Sequence, residues 1–121
     1  MIVIVDDEES VRRALKRLLM TAGYRVETFG TGTEFFKTLK KMQPACVILD
    51  VQMPKMTGYD IQRRLGEVKS AVPVIMISGY DTAESQKRAM RAGAAAFLKK
   101  PVDDVALFDA ISAAIGARSG D

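Results

Sequence analysis

The chemistry-bearing residues of this chain stand where apolar runs stop. Asp6 and Asp7 follow Ile2-Val3-Ile4-Val5, and Asp50 follows Cys46-Val47-Ile48-Leu49. Ser78 follows Val74-Ile75-Met76-Ile77, and Lys100, ahead of Pro101, follows Phe97-Leu98-Lys99. Brought together, the three aspartates would repel by about a few kcal/mol per pair even at a generous dielectric. Such a site must protonate, take up a cation, or both. Mg²⁺ suits it, because that ion takes hard oxygen ligands, needs few carboxylates and keeps several waters. Calcium wants more protein oxygens, and zinc wants His or Cys. Formally, Mg²⁺ and Lys100 together balance the three acids. A carboxylate so neutralised can attack phosphorus as a nucleophile, while metal, lysine and the Ser78 hydroxyl meet the phosphoryl oxygens. The product, an acyl phosphate, carries about −2 in place of −1, enough to move a nearby loop.

Convergence of these residues requires a particular scaffold, and the hydrophobic periodicity predicts one. Ile2 to Val5 reads as a strand covered on both faces, and Val11, Ala14, Leu15, Leu18 and Leu19 as one face of a helix capped by Gly23. Tyr24 to Phe29 alternates like a strand near the sheet edge. Thr31 with Glu34 makes a capping-box pattern ahead of Phe35, Phe36, Leu39 and Met42, on a helix ended by Pro44. Cys46 to Leu49 is the third strand, and Ile61, Leu65 and Val68 mark the third helix. Met53-Pro54 gives a stiff turn between them, and Gly58 the conformational freedom of a loop returning to a helix. Val74 to Ile77 is the fourth strand; Asp81 or Thr82 caps a fourth helix ending near Gly93. Ala95, Phe97 and Leu98 make a fifth strand, and Leu107, Phe108, Ile111 and Ile115 face inward on the last helix. Five βα units with apolar strands imply a doubly wound α/β fold, a parallel sheet with helices on both faces. In such folds ligands bind beyond the carboxyl ends of the strands. Those ends are where Asp6, Asp7, Asp50, Ser78 and Lys100 lie.

Composition narrows the class. A length of 121 residues, with 48% hydrophobic and 27% charged, describes one globular domain with one core. No apolar stretch approaches the roughly 20 residues that cross a bilayer, and Met1 opens directly into the first strand, so no secretory leader is expected. Cys46 is the only cysteine; a cytoplasmic, reducing setting is expected. The absence of histidine excludes His-dependent catalysis and most zinc chemistry. The net charge of +3 is spread along helices and interleaved with acids, so no nucleic-acid stripe is expected within this domain. Residues 1–117 are read as the domain, and 118–121 as a tail or the start of a linker.

In order, the motifs VDDEE, LDVQMPKMTG, ISG and FLKKP resemble the receiver domain of two-component response regulators, across essentially the whole chain. That resemblance implies a flavodoxin/CheY-like sheet of order 2-1-3-4-5. It implies that Asp50 accepts a phosphoryl group from a phosphohistidine on a sensor histidine kinase or phosphotransfer protein. Asp7 would ligate Mg²⁺ directly, Asp6 mainly through bound water, and the Gln52 backbone carbonyl would complete the protein ligands. Ser78 matches the switch hydroxyl, Phe97 the aromatic switch position, and Lys100 the lysine that bonds the phosphoryl group, with a cis Lys100-Pro101 peptide aiming it. Output would pass through helix 4, strand 5 and helix 5, a face that also suits a homodimer; nucleic acid would be met through a separate effector domain. Gln52 and Tyr80 occupy variable places flanking the attacking water, and Phe97 lacks the hydroxyl of the commoner tyrosine.

Blander roles suit some neighbours. Glu8 and Glu9 read as N-caps of the following helix, Lys99 as a solvated edge charge, and Gly30-Thr31-Gly32-Thr33 as a turn with a helix cap, lacking the lysine of a phosphate loop. Helix 4 has a thin apolar face, chiefly Ala83, Ala89 and Met90, which implies weak docking and a shift on activation. Two other functions compete. An Asp-nucleophile, Mg-dependent phosphatase of the haloacid-dehalogenase type would carry D-x-D at the first strand and a cap region, whereas this chain has adjacent Asp6-Asp7 and is short. A degenerate receiver that only binds partners would lack some of the five key residues, and none is missing.

Overall fold

The computed structural model describes residues 1–80 and 82–119, with side chains placed through residue 116. Strands β1 (Ile2–Val5), β2 (Val26–Phe29), β3 (Cys46–Asp50), β4 (Val74–Ser78) and β5 (Ala96–Lys99) alternate with helices α1 (Glu9–Thr21), α2 (Gly32–Leu39), α3 (Gly58–Glu67), α4 (Ala83–Arg91) and α5 (Asp104–Ser119). All strand pairings are parallel, in the order β2-β1-β3-β4-β5. That is the doubly wound order expected.

The period of two along each strand divides the apolar residues between two helical layers. Val3, Val5, Val47, Leu49, Val74 and Met76 point into the layer with Phe35, Ile61, Leu65 and Ala89 of α2, α3 and α4. Ile2, Ile4, Cys46, Ile48, Ile75 and Ile77 point into the layer with Leu15, Leu19, Leu107 and Ile111 of α1 and α5. This explains why the inner strands are apolar without interruption. Burial pushes the Cys46 thiol up to about 12, so it stays a neutral, inert core group. Among the described residues no helix is long and apolar enough to cross a membrane.

Several local expectations are corrected. β2 is shorter than Tyr24 to Phe29, and β5 begins at Ala96 and runs to Lys99. Ala14 is exposed, and Val68 is the exposed C-cap of α3 rather than part of its inner face. The Thr31 hydroxyl accepts the Glu34 N–H, but the full reciprocal capping box belongs to Thr57 and Asp60, at the head of α3. Thr82 caps α4, its hydroxyl accepting the Ser85 N–H; Asp81, the alternative cap, lies outside the described residues. Of the expected apolar face of α4 only Ala89 is buried, Ala83 and Met90 being exposed. The helix is held instead by Arg88, whose guanidinium lies 3.9 Å from the centre of the Tyr59 ring, and by Gln62 Nε2, which donates to the Ala92 carbonyl at 3.0 Å. α5 continues past Gly116 to Ser119, so the expected tail begins inside a helix; Gly120 and Asp121 lie outside the described residues.

The loop after β3 also departs from expectation. The left-handed conformation falls on Lys55 (φ 69°), not on Gly58. Gly58 is demanded by close approach: a Cβ there would lie 2.7 Å from the Asp50 carbonyl oxygen and 3.0 Å from Val51 Cα. The Gly58 N–H donates to the Val51 carbonyl at 3.1 Å, so the start of α3 is fastened to the end of β3. Gly58→Ala is therefore expected to cost about 1–3 kcal/mol through overpacking against backbone. Gly66→Ala, inside the same helix with nothing within 4 Å of the added carbon, should gain up to about 1 kcal/mol. Urea denaturation of the two variants checks the contrast.

Candidate functional site

The sheet register sets the four strand ends side by side. Val5 pairs with Leu49, Asp50 with Ile77, and Ser78 with Lys99. Each next residue along the chain therefore emerges at the same rim, and the helices that follow leave it in different directions. The buried polar side chains among the described residues are Asp6, Asp50 and Ser78, all at this rim and each at most 2% exposed. Buried polar groups demand partners, and Lys100 supplies the charged one for both aspartates. Its Nζ lies 3.0 Å from Asp6 Oδ2, 3.3 Å from Asp50 Oδ2 and 3.3 Å from Glu8 Oε1. The Lys100-Pro101 peptide is cis, as the resemblance implied.

Local turns orient the carboxylates. Asp6 Oδ1 accepts the Glu8 N–H at 2.9 Å, and Asp50 Oδ1 accepts the Gln52 N–H at 3.2 Å. Asp6 Oδ2, fully buried, is met only by the Lys100 ammonium at 3.0 Å and has no further hydrogen-bond donor. The Ser78 hydroxyl accepts the Tyr80 N–H at 3.0 Å and so is tied to its own turn. Phe97 is half-buried against the α4-side core, and the side chains of Gln52 and Tyr80 are exposed at the mouth of the site.

Glu8 was misjudged from sequence. It occupies the N-cap position of α1 but makes no capping hydrogen bond. Its carboxylate instead joins Asp6, Asp7 and Asp50 in a cluster in which one oxygen from each lies within 4.8 Å of the others. Glu9 is not the N-cap expected either but lies in the first turn of α1, paired with Arg13 at 2.6 Å on an exposed face. The signal for Glu8 was present: glutamate is a poor N-cap, lacking the short side chain that reaches the N2 and N3 amides. With Glu8 the cluster has one more negative charge than the expected balance, so Lys100 alone cannot neutralise it and a divalent cation would still leave it acidic.

Electrostatics follow from this crowding. Asp50 is raised to about 6, first by burial and then by the Asp6 charge, against the pull of the Gln52 amide and Lys100. Burial draws Lys100 down, but its contact with Asp6 and the attraction of Asp50 outweigh that and hold it above the usual lysine value. Hard oxygens only, one of them buried with no partner but the Lys100 ammonium, fit Mg²⁺ and offer nothing soft for a thiophilic metal.

A doubly wound parallel sheet with an acidic pocket and a lysine at its carboxyl rim defines a class, and comparison with known proteins agrees with it. The family model of the response regulator receiver domain matches residues 2–112. Response regulator protein TmoT of Ectopseudomonas mendocina is 40% identical over 114 residues, 94% of this chain and 52% of that protein. Transcriptional regulatory protein FixJ of Rhizobium meliloti is 34% identical over 111 residues, 92% of this chain and 54% of that protein. The crystal structure of a response regulator receiver protein from Burkholderia phymatum superposes with a TM-score of 0.85 at 44% identity, covering 95% of this chain and 94% of that one. The chain belongs to the response regulator receiver domain family of two-component signalling. It spans about half the length of the curated relatives it matches.

The raised Asp50 pKa fixes a pH dependence. Between the ordinary carboxylate value and about 6 the native state binds the extra proton, so metal-free stability falls as pH rises through that window and the full penalty is present above it. Asp50→Asn removes the penalty. It should stabilise the metal-free protein by about 1–3 kcal/mol at pH 7.5, with the gain shrinking at pH 5 and gone near pH 4. Urea denaturation in EDTA at those pH values tests this.

Proposed function

We propose that the domain is a phosphorylation-dependent switch in which Asp50 is the phosphoacceptor and the protein acts as substrate of its partner, not as an enzyme in its own right. The observation that carries this reading is the Asp6–Lys100–Asp50 triad, its two aspartates buried and Lys100 Nζ within 3.3 Å of both. In the transfer an Asp50 oxygen attacks phosphorus, the P–O bond forms as the P–N bond of the donor phosphohistidine breaks, and the imidazole leaves with the bonding pair. Asp6, Asp7, Asp50 and the Gln52 backbone carbonyl would hold Mg²⁺, which when bound neutralises phosphoryl oxygens. Lys100 keeps its charge throughout and moves from the Asp50 carboxylate to a phosphoryl oxygen. Ser78 exchanges its turn hydrogen bond with Tyr80 for another such oxygen, and Phe97 moves inward as the hydroxyl departs.

The partner is a sensor histidine kinase or phosphotransfer protein, since the chain has no histidine of its own, and the setting is cytoplasmic. Output passes through α4, β5 and α5, the same face serving a homodimer. DNA contact falls to an effector domain, a reading supported by the relatives' length and by names such as transcriptional regulatory protein.

Incubation with Mg²⁺ and acetyl phosphate should add a single phosphoryl group by mass spectrometry, and Asp50→Asn should add none; labelling that survives in that variant defeats the assignment. In Lys100→Ala the fold and Mg²⁺ binding should persist while the signal stops at the site. Phosphorylation should alter hydrogen exchange in α4 of the unmodified sequence and leave it unaltered in Lys100→Ala.

A further inference from the structure

Arg12 stands apart from the other cations of α1. Its neighbour Arg13 makes an exposed pair with Glu9, whereas Arg12 is half-buried and its Nη1 donates to the backbone carbonyl of Asp6 at 2.6 Å. Helical side chains lean toward the N-terminus, which lets a residue at the end of the first turn of α1 reach back over the loop from β1. The guanidinium lies against Gly30, where an added Cβ would sit 3.2 Å from Nη1 and 3.6 Å from Cζ. A cation in the first turn is opposed by the helix dipole, so helix electrostatics give no reason for it to be there.

Taken around Asp6, the contacts form a closed set. Its N–H donates to the Phe29 carbonyl at 3.1 Å, its carbonyl accepts from Arg12, and Oδ1 accepts from the Glu8 N–H. Oδ2, with the Lys100 ammonium 3.0 Å away, is the polar atom of Asp6 left to face the pocket. We propose that Arg12 is a positioning residue which, seated on Gly30, locks the Asp6–Asp7 peptide and so aims the acidic pair at a bound divalent cation. This inference rests on the reading of the acids as a Mg²⁺ site.

Coulomb's law alone predicts the opposite sign. Removing a positive charge beside an acidic cluster should tighten cation binding, whereas losing the lock should weaken it. The experiment is a Mg²⁺ titration of the full chain followed by amide NMR shifts, with Glu8 amide exchange measured in EDTA. Arg12→Ala should weaken Mg²⁺ roughly 10-fold, the lower edge of what outer contacts contribute at metal sites, and should speed exchange of the Glu8 amide. Arg12→Lys should recover part of the affinity. Gly30→Val keeps the charge but evicts the guanidinium; it should weaken binding in the same direction, and the double variant Gly30→Val/Arg12→Ala should be no weaker than Arg12→Ala. Mg²⁺ binding by Arg12→Ala that equals or exceeds the unsubstituted chain, with an unaltered Glu8 amide, overturns the inference. Failure of the unsubstituted chain to bind Mg²⁺ would instead defeat the metal reading, and the Glu8 amide in EDTA would still decide whether Arg12 holds the loop.

Discussion

Two carboxylates withdrawn from water at the end of a sheet, with one ammonium set against both, govern the rest of this molecule. Asp6 and Asp50 are each at most 2% exposed, and burying charge is costly unless it is matched. Lys100 matches it from a different strand end, so the site exists only while β1, β3 and β5 keep their register. The burial that raises Asp50 to about 6 also shields it, and the resting state is thus held at an electrostatic disadvantage that a cation can relieve. Native packing elsewhere must sustain that disadvantage, and two apolar layers around the parallel sheet do so.

The same constraint accounts for the loops. A hydroxyl, two carboxylates and an ammonium can meet only if four chain segments turn sharply at one rim. Gly58 permits one turn by bringing the start of α3 onto the Asp50 carbonyl, and the Thr57–Asp60 box fixes where that helix begins. Arg12 and the Phe29 carbonyl grip the backbone of Asp6 from two sides. Preorganisation of this kind keeps the oxygens in place despite their mutual repulsion.

Much of this was legible in the sequence because the inner strands are apolar on both sides, so the first polar residue after each run marks its end. Asp6, Asp50 and Ser78 were found that way, whereas Lys100, second after its run, was singled out by Pro101 and by the resemblance. Periodicity misplaced the edges, where β2 and β5 are covered on fewer sides and their ends are set by pairing with a neighbour rather than by composition. Glu8 was hidden because its role depends on where a loop turns, and Arg12 because its partner is a backbone carbonyl that carries no letter in the sequence. Met90 was read as part of the thin apolar face of helix 4, yet it is 52% exposed and only Ala89 of that face is buried.

The anchoring of α4 is lopsided. Arg88, Ala89 and Ala92 carry its contacts with Tyr59, the core and Gln62, all in its second half or just beyond. Among residues 83–87 only Ser85 is even half-buried. The more exposed half of the helix therefore begins a few residues after Ser78, and its Glu84 and Ser85 line the same cavity as that hydroxyl.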